Sequence, residues 1–298
     1  MGALDGKVAI VTGAGQGVGR SHAELFAQLG AKVVVNDLGD MAEEVAGAIN
    51  SSGGTAIAHQ CDVSDRDATG AMVKRTLDEF GEVDIVVNNA GLLRDAMSFS
   101  MDEAQWDLVV DVHLKGHANM AHHVGKYWRA IAKGLDEGAA PRQRRIINTT
   151  SESGLFGGPA QMNYASAKGG IITLTMVLAK ELGRYGVTVN CIAPRARTQM
   201  NEAMPMFAKP EEGFDPYDPE HVSPMVAWLA SDNASDVNGQ TFIVTGDEVH
   251  RMAQPTVASS IFAGDQRWTV DAITERRDDL FGSDSPSLPQ WGGPDMRR

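Results

Sequence analysis

The sequence predicts an α/β fold: a single doubly wound sheet of about seven parallel strands with helices on both faces. Short β-branched runs recur along the chain, and helix-period segments alternate with them. Several of the runs are apolar almost throughout, as parallel strands covered on both faces require. The expected strands are 7–12, 32–36, 55–60, 83–88, 145–150, 187–192 and 241–244. Between them, Val18, His22, Leu25, Phe26 and Leu29 share one helix face, and Ile171, Leu174, Leu178 and Leu182 share another. Ser100 with Glu103 is a capping-box candidate opening the helix that carries Trp106, Val109, Val110 and His113. Nothing in the first 250 residues reads as a linker, so one domain is expected to about residue 263, with a polar, Pro/Gly-rich tail over 264–298.

Composition excludes several functions. With 298 residues, 43% of them hydrophobic, a substantial core is available. The formal net charge of −13 opposes adhesion to polyanions, so neither nucleic acid nor an anionic membrane is an expected partner. Two cysteines, Cys61 and Cys191, make no disulfide framework and read as buried reduced thiols. The start has no charged region ahead of a long apolar run, and no stretch approaches about 20 apolar residues. Gly2 follows Met1, but Gly6 stands where a myristoylation signal needs Ser or Thr. A cytoplasmic protein is expected.

Three signals carry chemistry. Residues 12–19, TGAGQGVG, lie between an apolar strand and an amphipathic helix. Glycines there let the backbone turn tightly and approach a pyrophosphate, which then sits on the helix N-terminus, as in a Rossmann-type sheet. Asp37 ends the next strand, where a carboxylate accepts ribose hydroxyls and repels a 2′-phosphate. No Arg or Lys follows it to hold such a phosphate, so NAD is favoured over NADP. Tyr164 and Lys168 lie one turn apart on a helix, with Ser151 at a strand end before them. A phenol titrating near ~10 needs a neighbouring cation to serve as a base, and Lys168 is placed to lower its pKa.

These motifs resemble the short-chain dehydrogenase/reductase family over roughly residues 5–250. The matching segments are TGAGQGVG (12–19), CDV (61–63), NNAG (88–91), Ser151 with YASAK (164–168), and NCIAP with Thr198. The resemblance implies Tyr164 as acid/base, Ser151 as its partner, and Lys168 as phenolate stabiliser and nicotinamide-ribose ligand. It assigns the cofactor to Gly13, Gln16, Gly17, Val18, Gly19 and Asp37. Asp62 and Val63 resemble the adenine contacts, while Asn88, Asn89, Ala90 and Gly91 look like the segment passing the ribose. Ile192, Pro194 and Thr198 resemble the residues on the carboxamide side.

Two departures sharpen the match. The family usually carries an Asn in the central helix, and His113 aligns with it, either in the proton relay or as a satisfied core residue. The usual Pro-Gly after the sixth strand is replaced by Pro194-Arg195-Ala196-Arg197-Thr198. VVVNDLG (33–39), NNAGLLRD (88–95) and DVHLKGH (111–117) are similar to the (3R)-hydroxyacyl-CoA dehydrogenases typified by part of peroxisomal multifunctional enzyme type 2, although the insertion often found after the second strand is missing. That resemblance implies NAD-dependent oxidation of a 3-hydroxyacyl-CoA. A 17β-hydroxysteroid or other secondary-alcohol dehydrogenase is the alternative, with an oxoacyl reductase or a non-catalytic NAD-binding regulator behind it.

Residues 198–218 read as a lid, with Met200, Met204, Met206, Phe207 and Phe214 lining it for an acyl chain or sterol, or packing only on the protein. Arg195 and Arg197 stand ready for CoA phosphates or are solvated. The family's habit implies a homodimer or homotetramer through the helices beginning near Ser100 and Met162. Trp268 and Trp291 in the tail cover a neighbour's site or the chain's own.

Overall fold

The computed structural model describes residues 2–202, 204–282 and 288. It divides into two compact units, the first running through Met252 and the second beginning at Ala253, ahead of the expected boundary at 263. The first unit builds β1 (Val8–Val11), α1 (Gly17–Gln28), β2 (Lys32–Asp37), α2 (Met41–Ser51), β3 (Thr55–Gln60), α3 (Arg66–Phe80) and β4 (Ile85–Asn88). It continues with α4 (Glu103–Val110), α5 (Gly116–Lys133), β5 (Arg144–Thr149), α6 (Glu152–Phe156), α7 (Met162–Leu182), β6 (Val187–Pro194), α8 (Ser223–Ala230), β7 (Thr241–Thr245) and β8 (Glu248–Arg251).

The sheet order is β3-β2-β1-β4-β5-β6-β7-β8. The seven expected strands are all parallel, and the order reverses direction between β1 and β4, so the carboxyl ends of those strands flank a crevice suited to a ligand. An eighth strand, β8, pairs antiparallel with β7. Its four residues alternate too briefly and too polarly to read as a strand, and the turn at Gly246 (φ +50°) produces the pairing.

Strand alternation splits the core between the two faces. Val33 and Val35 point to the layer containing Phe26 and Val45, whereas Val34 points to the layer containing Met120 and Trp128. Trp128 is fully buried and donates its indole N–H to the Val83 carbonyl at 2.7 Å.

Two local expectations need correction. The capping box of α4 uses Asp102 and Gln105, because Ser100 still belongs to the preceding turn. At the start of β5, Arg142 pairs with Asp84, while Arg144 and Arg145 are buried in the strand, on Glu82 and the Ser231 carbonyl. Cys191 is buried, but Cys61 is only half-buried, and both are free thiols.

The second unit holds α9 (Val270–Glu275) and α10 (Arg277–Phe281), with Trp268 partly exposed. Trp291 lies outside the described residues.

Candidate active site

The glycine turn forms a cradle that side chains would fill. Gly13 has φ +61°, and a Cβ there would lie 2.7 Å from the Ala90 Cα. A Cβ on Gly19 would strike the Gly13 carbonyl. Gly17, at φ +54°, opens α1, and a Cβ there would lie 3.7 Å from Thr198 Cγ2, so the turn and the segment after β6 converge. Gln16 caps α1 without a side-chain hydrogen bond, and its buried Oε1 has no partner. The first turn of α1 carries no acidic side chain, leaving its N–H groups and positive dipole end to an anion. Val18 is buried in the core beneath.

Asp37 closes the cradle from β2. Its carboxylate accepts the Gly15 N–H at 2.9 Å and the Leu38 N–H at 2.8 Å, which leaves acceptor capacity for hydroxyls. Asn89 braces the same turn rather than facing outward: its side-chain amide donates to the Thr12 and Gly13 carbonyls, both at 3.0 Å. Thr12 in turn receives the Asn89 and Ala90 amides on its hydroxyl. Asp62 caps its own turn through Ser64, and buried Val63 is held by Asn119, which donates to its carbonyl.

Across the crevice, Ser151, Tyr164 and Lys168 come together. Ser151 follows β5 and caps α6, accepting the Ser153 N–H, and its hydroxyl acts on the Tyr164 phenol, favouring the ionised form. Lys168 is buried; its Nζ donates to the Thr149 carbonyl at 2.6 Å and lies 5.6 Å from the Tyr164 ring centre. Buried Asn163 sets the helix start, donating to the Arg94 and Gln105 carbonyls and accepting the Tyr164 amide. Its only sequence signal is its place beside Tyr164.

A π-helical segment, Asp111–Lys115, joins α4 to α5 and turns His113 inward. His113 is buried, its Nε2 lies 2.8 Å from the Leu92 carbonyl, and its ring meets the Tyr164 ring edge-on at 5.2 Å. A Cβ on Gly91 would collide with that ring, so the glycine is required for the histidine to enter.

Burial dominates the electrostatics. It pushes Lys168 down to about 7, holds His113 well below its ordinary value, and drops His117 to about 3. It also raises the Tyr164 phenol; the Ser151 hydrogen bond works against that rise and the Asp95 charge adds to it. This corrects the expectation of a lowered phenol pKa: here desolvation outweighs the neighbouring amine, whose own charge burial has weakened.

Segment 198–218 is tied to the end of β6. Arg197 forms a two-pronged pair with Asp215, both contacts 2.8 Å, and donates to the Phe207 carbonyl. Arg195 pairs with Glu152, next to Ser151, at 2.8 Å and 2.5 Å. These pairs correct the solvated alternative for both arginines, because the guanidiniums hold carboxylates of the chain itself. Asn201 closes the root of the segment on Thr198 and Ala196. Met200, Met204, Met206 and Phe214 are exposed, while Phe207 packs edge-on against Tyr217.

A dinucleotide cradle beside a Ser-Tyr-Lys cluster defines a class of oxidoreductase. Residues 7–206 match the family model of the short chain dehydrogenases, and the chain belongs to that family. Hydroxyacyl-CoA dehydrogenase ChsB1 of Mycobacterium tuberculosis is 42% identical over 291 residues, covering 95% of this chain and 91% of that protein. The peroxisomal multifunctional enzyme type 2 of Mus musculus is 33% identical over 96% of this chain, which spans 38% of that longer protein. A 3-oxoacyl-(acyl-carrier-protein) reductase of Synechocystis is 39% identical over 84% of the chain and 99% of its own length. A short chain dehydrogenase from Mycobacterium avium has the same fold, with a TM-score of 0.87 and 42% identity over 98% of this chain and all of that one. The protein is therefore an oxidoreductase acting on CH–OH groups. The glycine cradle, the open end of α1 and the unpartnered Gln16 Oε1 fit the nicotinamide dinucleotide that such enzymes bind.

Proposed function

We propose that this protein oxidises a secondary alcohol to a ketone with NAD⁺, and that its substrate is a 3-hydroxyacyl-CoA thioester. The observation that carries the chemistry is the buried Lys168 Nζ beneath the Tyr164 phenol, with the Ser151 hydroxyl acting on the same phenol. The substrate class rests on the likeness to a hydroxyacyl-CoA dehydrogenase along nearly the whole chain. NAD over NADP rests on Asp37, and on Arg20, the basic residue of α1, being paired with Glu24 and Glu44.

Ser151 donates a hydrogen bond to the substrate oxygen and orients it toward Tyr164. Tyr164 Oη accepts the hydroxyl proton as the carbinol hydrogen leaves as hydride. Lys168 stabilises the phenolate and shares its proton. The bound nicotinamide supplies the hydride acceptor. His113 shapes the wall behind the phenol, and its Leu92 contact makes that position a fixed one. The exposed Met200, Met204, Met206 and Phe214 offer an apolar, adaptable surface to an acyl chain. Exposed Leu108 and Met162, on α4 and α7, support pairing of copies into a homodimer or homotetramer. Among the described residues no helix is long and apolar enough to cross a membrane.

A second reading, reduction of an oxoacyl thioester, is favoured by the Synechocystis relative, whereas Asp37 counts against the phosphorylated cofactor that such reduction commonly uses. A hydroxysteroid substrate suits the same apolar segment. Absorbance at the NADH band, with NAD⁺ or NADP⁺ and a panel of 3-hydroxyacyl-CoAs and hydroxysteroids, tests these readings. Turnover with NAD⁺ and hydroxyacyl-CoA is expected. Absence of turnover on every secondary alcohol, with tight NAD⁺ binding, overturns the proposal.

A further inference from the structure

One turn beyond His113 stands a second buried histidine. His117 is 2% exposed, and its ring reaches the end of β5, with the backbone of His113 in the π-helical segment and of Asn88 at the end of β4 also acting on it. The Thr149 amide approaches His117 Nε2 at 3.4 Å, and the Thr149 carbonyl receives Lys168 Nζ at 2.6 Å. Residue 149 thus has the histidine on its N–H and the lysine on its C=O. The next amide, Thr150 N–H, is fixed from the other side by the Ile192 carbonyl at 2.7 Å. A leucine would fill the same volume without losing hydration, so a buried imidazole here needs a reason. A neutral imidazole offers one donor and one acceptor, which suits a place where two strands end and their backbone groups run out of ladder partners.

We propose that His117 is a positioning residue for proton transfer, holding the Thr149 carbonyl against Lys168 Nζ and so fixing the ammonium beneath Tyr164. This rests on reading Tyr164 and Lys168 as the proton-transfer pair. The groups facing Lys168 are Tyr164 from its own helix, His113 and His117 from the π-helical segment and α5, and Cys191 from β6, with Asp95 acting on Tyr164. Burial keeps both histidines neutral and the Cys191 thiol protonated. The Thr149 carbonyl is the acceptor that Lys168 Nζ holds, so its orientation bears directly on the charged form of the lysine.

The test follows the Lys168 side-chain resonance by NMR against pH in the protein without cofactor, assigned with Lys168→Met. His117→Phe keeps the bulk and removes the hydrogen bonds; His117→Gln restores a donor and an acceptor. The lysine midpoint is expected to move to lower pH in His117→Phe and to return toward wild type in His117→Gln. In the enzyme assay kcat falls about tenfold for His117→Phe with KM for NAD⁺ unchanged, the size of effect that slight misplacement of a reacting group produces. If Phe is not tolerated, His117→Asn, too short to reach Thr149, takes its place. An unmoved lysine midpoint, with any activity loss matched by loss of folded protein, overturns the proposal. Full activity of Lys168→Met instead overturns the underlying proton-transfer reading.

Discussion

On the proposed mechanism Tyr164 and Lys168 share one proton and titrate as a unit. A neutral phenol beside a neutral amine differs from a phenolate beside an ammonium only in where one proton sits, so the base form of the pair appears once Lys168 loses its proton, at about 7. Oxidation is therefore expected to speed up as pH rises through a limb near 7, well below the range of an isolated phenol. A pH–rate profile checks this, and a limb confined to the ordinary tyrosine range contradicts it. Tyr164→Phe removes the accepting oxygen and is expected to lower kcat about 1,000-fold, with NAD⁺ affinity preserved in a fluorescence titration. Asp37→Ser removes the carboxylate beside the cradle and keeps a cap for Gly15. The ratio of kcat/KM for NAD⁺ over NADP⁺ is expected to fall about 100-fold, reflecting the loss of like-charge repulsion of a 2′-phosphate.

At the scale of elements, the segment 198–218 depends on the Arg197–Asp215 pair. Arg197 is the first cause of the depressed Asp215 pKa, and both side chains are largely sheltered. Arg197→Gln releases Asp215, the Phe207 carbonyl and with them the packing on Tyr217. Faster hydrogen exchange over 198–218 and a several-fold higher substrate KM are expected, with NAD⁺ affinity little changed; unaltered exchange there would show that the clamp is not what orders the segment. The elements also show where patterns mislead. S-x-x-E at Ser100 and D-x-x-Q at Asp102 are both plausible capping boxes, and only the direction of the preceding chain selects the second. The face of α7 shows a similar limit, because its buried stripe includes Thr175, whose hydroxyl receives the Asn148 amide, so a polar network sits in a face expected to be aliphatic.

Over the whole molecule, the buried histidines link stability to pH. His22, on the buried face of α1, and His117 each fall from 6.5 to about 3, and His113 falls as well. Between those values the unfolded chain binds protons that the folded one does not, so stability is lost as pH falls from about 6.5 toward 3. Each of His22 and His117 contributes on the order of 4–5 kcal/mol of that loss by pH 3. Lys168 acts in the opposite window: the cost of burying its charge is full below about 7 and is relieved as pH rises toward 10.5. Urea unfolding at pH 7.5 and pH 5 should show the drop, and His22→Asn should flatten its slope.

Much was legible in the sequence because it is local. Strand and helix periods follow from which residues one backbone can bury, and the glycine turn, Asp37 and the Tyr164–Lys168 spacing are short-range patterns with one stereochemical meaning. Those features determined the seven parallel strands, the dinucleotide cradle and the class of chemistry. Tertiary structure alone decided how His113 enters behind Gly91, that Asn89 braces the turn, that Asn163 ties the start of α7 to Arg94 and Gln105, that His117 meets the end of β5, and that Arg195 and Arg197 face carboxylates. Each of these joins residues far apart in the chain. Burial also decided the electrostatics: spacing showed a lysine beside a phenol, but the degree of desolvation fixed where the shared proton rests.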